Sequence, residues 1–153
     1  MKIDNVDLHI LEELQKDSRL SMRELAKKVN LSPPSVTERV RRLEDAHILK
    51  QYTIAINYEQ LGLTVDCYVE VTMKNGEYER FKSFISTYPY TQFCERIAGQ
   101  ACFITKLKLP NLQELESFIN EVTPFAKTIS HVVLSTVEMQ HTTMNHLRNK
   151  PTV

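Results

Sequence analysis

The sequence is poor in cysteine and glycine and has no long apolar run, and each shortage excludes a class of protein. Only 3 of its 153 residues are cysteine and only 3 are glycine. Cys67, Cys94 and Cys102 include no CxxC pair, so we expect no zinc site and no disulfide framework. No run approaches the roughly 18 apolar residues of a membrane span, and the acidic N-terminus is unlike a signal peptide. We therefore expect a cytoplasmic protein with no membrane partner and no metal.

An excess of charge of one sign is also absent, because 19 basic residues balance 19 acidic residues. Overall neutrality argues against a strongly basic coat protein for nucleic acid. Residues 23–50 nevertheless hold seven basic and four acidic residues, a local excess of three positive charges. Because no phosphate loop, Ser-His-Asp set or pair of catalytic carboxylates is recognisable, we expect neither an enzyme nor a cofactor.

The first third of the chain has the pattern of three short helices. Asp4 is suited to begin the first, and Ser21 with Glu24 three residues later forms a capping box for the second. Ser32 followed by Pro33 is suited to begin the third. Three helices with a tight turn between the last two are typical of a helix-turn-helix domain.

The third helix has the pattern of a recognition helix. Val36, Val40 and Leu43 form one apolar stripe, and polar residues lie on the other side. Arg can pair with guanine or phosphate, Glu can accept from cytosine, and Ser and Thr suit phosphate. A solvated surface helix is the alternative interpretation, but the capped preceding helix and the tight turn favour DNA recognition. The predicted DNA-binding residues are Ser21, Ser32, Ser35, Thr37, Glu38, Arg39, Arg41 and Arg42.

The remainder of the chain predicts a strand, then β-α-β-β-α-β. Residues 48–56 are strand-like and are interpreted as a wing. Strands are predicted at 64–74, 90–98, 101–109 and 128–140, with helices after the first and third of them. This order predicts a ferredoxin-like α+β sandwich. Its helices cover one face of the sheet, so the other face is expected to be buried against a second copy.

The sequence resembles the leucine-responsive regulatory protein/AsnC family of transcription regulators. The resemblance implies a winged helix-turn-helix domain joined to a ligand-sensing domain, dimers that associate into octamers, and amino acids or related metabolites as effectors. It divides the chain into a DNA-binding domain (1–50), a wing strand and linker (51–63), a ferredoxin-like effector and oligomerisation domain (64–140) and a C-terminal tail (141–153). The residues that carry it are Asp7, Ile10, Leu11, Leu14, Asp17, Arg19, Glu24, Leu25, Ala26, Leu31, Ser32, Val36, Arg39, Val40, Arg41, Arg42, Leu43, Glu44, Ile48, Tyr52, Leu61, Gly62, Tyr88, Pro89, Ile97, Ala98 and Gly99.

The family holds its effector near a loop of the form Gly-x-Tyr/Phe-Asp-Tyr. Here the loop reads Gly-Gln-Ala-Cys-Phe, so Ala101 replaces the aromatic residue and Cys102 replaces the acidic residue. A cysteine cannot pair with an ammonium group as a carboxylate does. Two outcomes are therefore predicted: an effector without a required ammonium group, or constitutive regulation, which the lack of another loop carboxylate favours. The resemblance implies an effector site at Gly99, Gln100, Ala101, Cys102, Thr128 and Ser130.

A second departure lies at the end of the third helix, where His47 stands in place of the family's usual glycine. His tolerates a positive φ better than most residues, so we expect the helix-ending turn to persist.

The predicted function is sequence-specific regulation of transcription through double-stranded DNA. The alternative is an architectural, nucleoid-type protein that binds DNA with weak sequence preference. A ferredoxin-like enzyme with an accessory domain is a third hypothesis, against which the missing acid-base residues count.

Overall fold

The computed structural model describes residues 2–139 and 143–148. The chain forms two compact units: one contains the residues up to Ala55 and the C-terminal segment from Val137, and the other spans Ile56–Thr136. Among the described residues, no helix is both long enough and apolar enough to cross a membrane. The elements in chain order are α1 (Asn5–Lys16), α2 (Met22–Val29), α3 (Pro33–Asp45), a short 3-10 helix (Glu59–Leu61), β1 (Val65–Met73), α4 (Tyr78–Thr87), β2 (Thr91–Arg96), β3 (Phe103–Leu109), α5 (Leu112–Val122), β4 (Ala126–Val132) and α6 (Thr143–Arg148).

The first three helices of the chain begin where the sequence predicts. The Asp4 side chain accepts a hydrogen bond from the N–H of Asp7 at 2.8 Å. Ser21 and Glu24 form the predicted capping box, and the Ser32 side chain accepts from the N–H of Ser35. Each cap satisfies a backbone donor that the first turn of a helix leaves free.

The first unit has its own apolar core. It consists of Ile10, Leu14, Leu25, Ala26, Val29, Val36, Val40 and Leu43. The C-terminal helix α6 packs against α1, where Arg148 Nη1 lies 2.6 Å from the carboxylate of the buried Glu12. Within the predicted C-terminal tail, residues 143–148 thus form a helix, and His146 on it is exposed. Residues 140–142 and 149–153 lie outside the described part.

Residues 50–57 form neither helix nor strand in the single chain, so the wing strand over 48–56 stays a prediction. A strand needs a neighbour to satisfy its N–H and C=O groups. The described residues contain one sheet, built from β1 to β4, so this segment has no partner strand. Its side chains Tyr52, Ile54 and Ile56 are exposed.

The second unit is the predicted βαββαβ sandwich. Its antiparallel sheet has the order β2-β3-β1-β4, and α4 and α5 cover one face. Val65, Val69 and Phe103 lie on this covered face, and Phe93 lies on the open face, where its ring is 6.3 Å from that of Tyr68.

Two strand ends differ from the prediction. The last strand ends at Val132 instead of residue 140, because its partner β1 begins at Val65 and pairing stops there. Ala101 and Cys102 precede β3 instead of lying in it, because the Ile97 N–H donates to the Cys102 carbonyl and closes a loop over 97–102.

Candidate DNA-binding and effector sites

Helix α3 presents a polar surface because its apolar stripe faces the core. Val36, Val40 and Leu43 are buried, as their spacing predicts. The remaining side presents the exposed residues Ser35, Thr37, Glu38, Arg41 and Arg42, with Ser32 exposed at its N-terminus. A helix with such an exposed polar side can enter the major groove of DNA. Its N-terminal half and its basic residues then face the DNA.

The turn between α2 and α3 fixes how α3 is presented. Asn30 ends α2 in the left-handed conformation, with φ 54° and ψ 46°, which asparagine tolerates better than most residues. The Leu31 N–H donates to the Ala26 carbonyl at 3.0 Å, and Ser32 begins α3 at once. The exposed Ser21 lies at the N-terminus of α2, where backbone N–H groups favour an anion.

The two arginines in the middle of the exposed surface differ in their pairing. Arg41 lies 3.1 Å from the carboxylate of Glu38, one turn earlier on the same helix, and both side chains are largely exposed. Arg42 is exposed and has no ion-pair partner among the described residues. Since an exposed pair is weak, both guanidinium groups are available to a polyanion.

Arg39 is placed differently from its predicted neighbours. Its guanidinium Nη1 lies 2.8 Å from Asp4 Oδ2 and 2.7 Å from Asp7 Oδ1. Asp7 is only 1% exposed, so it needs a cation and hydrogen bonds to remain charged. Arg39 therefore ties α3 to the N-terminus of α1. The pattern of one helix did not reveal this pairing, because the two carboxylates lie more than thirty residues away in the sequence.

In the second unit, an open cleft of about 510 Å³ lies at the 97–102 loop. Among the predicted effector residues, Gly99, Ala101 and Cys102 line it. Gln100 does not line it, and Thr128 and Ser130 lie on the helix-covered face of β4, beyond β1 from the loop. These three stay predictions.

The cleft also contains two residues that sequence reasoning missed, Tyr78 at the start of α4 and Arg96 at the end of β2. The Tyr78 hydroxyl lies 3.5 Å from Cys102 Sγ, and Arg96 Cζ lies 5.2 Å from the centre of the Tyr78 ring. The hydrogen bond with Tyr78 lowers the pKa of the Cys102 thiol, and the Met73 N–H and the Arg96 charge act in the same direction. A loop motif alone could not reveal either residue, because each comes from a different element.

The open face of the sheet combines exposed apolar groups with charges. Ile129 is 60% exposed and Phe93 is 38% exposed on this face. Between them, Lys108 Nζ lies 2.6 Å and Lys106 Nζ 3.4 Å from one oxygen of Asp66. Apolar groups around a paired charge cluster form a surface that another protein surface could cover.

Comparisons with known proteins identify the class of each of the two domains. A sequence model of a winged helix-turn-helix DNA-binding domain matches residues 3–50, and a model of the Lrp/AsnC ligand binding domain matches residues 66–143. The HTH-type transcriptional regulator LrpC of Bacillus subtilis is 55% identical over 141 residues, which are 92% of this chain and 98% of that protein. The leucine-responsive regulatory protein of Escherichia coli K12 is 34% identical over 122 residues, 78% of this chain and 74% of that protein.

Solved structures show the same architecture. The structure of B. subtilis LrpC matches this chain with a TM-score of 0.87, and the match covers 92% of this chain and 100% of the LrpC chain. The transcriptional regulator NMB0573 of Neisseria meningitidis, solved as an L-Met complex, has a TM-score of 0.84 at 26% identity, and the match covers 95% and 99% of the two chains.

A DNA-binding domain of the winged helix-turn-helix type, followed by a ligand-binding sandwich, defines a transcription regulator that joins both parts in one chain. This chain belongs to the Lrp/AsnC family of such regulators. The predicted fold class and the predicted regulatory function are thereby confirmed.

Proposed function

We propose that this regulator reads double-stranded DNA with the exposed side of α3 in the major groove. The observation that carries the proposal is the exposed guanidinium of Arg42, which has no ion-pair partner in the described part of the chain, on a helix whose apolar stripe is turned inward. We assign Arg42 a contact with a base edge or a phosphate. Neighbouring contacts are assigned to the residues on the same side of the helix, which are Arg41, Glu38, Ser35 and Thr37.

Ser21 and Ser32 are assigned phosphate contacts. Both begin a helix, and both side chains are exposed beside N–H groups of a first turn. Helix N-termini favour anions, so these contacts position the protein on the duplex without reading its sequence.

Arg39 is assigned a positioning role in place of the DNA contact that its helix pattern predicts. Its ion pairs with Asp4 and Asp7 occupy the guanidinium on the α1 side. In this role it sets the angle at which α3 leaves the core, and it acts on DNA only through that angle.

We also propose that the chain acts as a dimer built through the open sheet face, and that dimers associate further into octamers. Ile129 and Phe93 on that face support the first step, since exposed apolar groups are stabilised by a partner. Two recognition helices in one dimer then meet half-sites about 34 Å apart, or a multiple of this distance.

A small-molecule effector is the third part of the proposal. The regulator NMB0573, which is similar in fold, was solved with L-Met, and the present chain has a cleft at the 97–102 loop. We assign this cleft to a small metabolite that changes DNA binding or assembly. Because the DNA to be bound is genomic, we expect the protein to act in the cytoplasm.

Footprinting tests the DNA-binding part of the proposal. The full chain is incubated with the DNA upstream of its own gene, and protected positions are mapped for the wild type, Arg42→Ala and Arg80→Ala. Arg80 lies on α4 in the second unit and is the matched control. We expect discrete protected sites that Arg42→Ala removes and Arg80→Ala retains. Uniform protection without sites would favour the architectural alternative, and no protection would contradict both.

A further inference from the structure

We propose that the cleft at the 97–102 loop binds a small aliphatic carboxylate that has no ammonium group, of the class of 2-oxo acids and simple carboxylic acids. This inference rests on the proposed effector role of the same cleft and specifies its ligand. Its basis is the juxtaposition of Arg96, Tyr78 and the loop that carries Cys102.

The cleft is lined by a single positively charged side chain. Arg96 is the one charged side chain among its seven lining residues, all of which belong to the described part of the chain. The guanidinium has no ion-pair partner among the described residues, and the Tyr78 ring beneath it holds it near the loop. A planar guanidinium can bind a carboxylate through two parallel hydrogen bonds, which makes a carboxylate the best-matched partner.

Neutral donors surround this cation. The Tyr78 hydroxyl points at the cleft, within 3.5 Å of Cys102 Sγ. The N–H groups of Ile97 and Cys102 are used by the backbone, but those of the lining residues Gly99 and Ala101 donate to no backbone carbonyl among the described residues. Loop N–H groups of this kind are suited to an anion or to the oxygen of a 2-oxo group.

An ammonium group finds no charged partner in the same cleft. No carboxylate lines it, and the Cys102 side chain offers a thiol instead. The ammonium of an amino acid would lie a few ångströms from the Arg96 guanidinium, so the two positive charges would repel each other. The cleft therefore discriminates against amino acids by repulsion, as well as by the missing attraction.

The apolar lining leaves room for a short hydrocarbon chain. Ile97, Ala98 and Ala101 contribute methyl and methylene groups. An added Cβ at Gly99 would meet no atom within 4 Å, so the loop is open to a ligand at this position. These features fit a branched or straight chain of a few carbons.

A titration with matched ligands tests the inference. The full-length protein is titrated by calorimetry with 2-oxo-3-methylbutanoate, 3-methylbutanoate and L-valine, which share one carbon skeleton and differ at the second carbon. The corresponding straight-chain oxo acids, acids and amino acids extend the series. We expect the acids without an amino group to bind at least about 10-fold more tightly than their amino acid counterparts.

Two variants assign the binding to its residues. Arg96→Gln is expected to lower the affinity for the acids by about 10- to 100-fold, because it removes the charged donor. Arg80→Gln on the neighbouring helix is expected to leave this affinity unchanged. Cys102→Asp is expected to reverse the preference, so that the amino acid of each pair binds more tightly than the acid.

Three results would overturn the inference: no binding of any acid in the series, equal or tighter binding of the amino acids to the wild type, or an Arg96→Gln variant that binds as the wild type does. Footprints made with the same Arg96→Gln protein separate this failure from that of the proposed function. Arg96 lies outside the DNA-binding unit. A variant that loses ligand binding but keeps its footprints therefore gives a result about the cleft and not about DNA binding.

Discussion

At the scale of the residue, His47 holds a backbone conformation that its side chain disfavours. Its φ is 54°, in the left-handed region, and its N–H donates to the Glu44 carbonyl at 2.9 Å in the turn that ends α3. We expect His47→Gly to raise the free energy of unfolding by about 0.5–1 kcal/mol, because removing Cβ relieves a strain that exceeds the entropy glycine adds to the unfolded chain. Urea denaturation followed by circular dichroism measures the change.

Asn30→Gly is the control for this prediction. Asn30 has the same φ of 54°, but asparagine tolerates this region better, so its gain should be smaller. A loss of stability in His47→Gly, or equal gains at the two positions, would show that His47 is not strained.

Residue roles were predictable where they depend on neighbours in the sequence. The caps at Ser21 and Ser32 follow from local pattern and the helix-ending turn at His47 follows from the resemblance to the family, and the structure confirms them. The pairing of Arg39 with Asp4 and Asp7 was not predictable, because it depends on where another helix lies.

At the scale of the element, α1 and α2 are joined by a buried carboxylate. Glu13 lies 2.7 Å from Lys16 Nζ on α1 and 2.8 Å from Lys28 Nζ on α2. Hydrogen bonds from these two lysines lower the pKa of Glu13 from 4.5 to about 2. Because the folded state holds the proton less tightly than the unfolded state, the stabilisation is complete above pH 4.5 and is lost as the pH falls toward 2.

We expect Glu13→Gln to lower the free energy of unfolding at pH 7 by about 2 kcal/mol, after allowance for the two half-exposed lysines, and to flatten its dependence on pH below 4.5. Glu79→Gln is the control, because Glu79 pairs with Lys82 in solvent and should contribute little at any pH. Denaturation curves at pH 7, 4.5 and 3 supply the measurement. A Glu13→Gln variant whose stability falls with pH as steeply as that of the wild type would refute this account.

Elements were predictable where their pattern is complete within the segment. The alternation at 64–74 predicts β1, and helical spacing predicts α4 and α5. The end of β4 was not predictable, because the length of a strand depends on its partner strand, and β-branched residues in the sequence do not say where that partner ends. For the same reason Tyr78 and Arg96 could not be assigned to one cleft before α4 and β2 were placed.

At the scale of the whole molecule, the proposed dimer interface is the open face of the sheet. We expect Ile129→Asp to weaken the dimer by at least about 10-fold, because it places a charge in the interface that the apolar groups would form. Leu112→Asp is the matched control, since Leu112 is 57% exposed but begins a helix on the other side of the sheet. Sedimentation equilibrium at micromolar concentration separates the species. A monomeric wild type, or equal effects of the two variants, would place the interface elsewhere.

The affinity of the full chain for its footprinted site, compared with a scrambled duplex of equal length, tests the account most directly. Fluorescence anisotropy at one salt concentration gives both values for the wild type, Arg42→Ala and Arg80→Ala. We predict that Arg42→Ala loses about 1–3 kcal/mol of binding free energy at the specific site, and that Arg80→Ala binds as the wild type does. An Arg42→Ala protein with unchanged affinity for the specific site would contradict the assignment of α3 as the recognition helix.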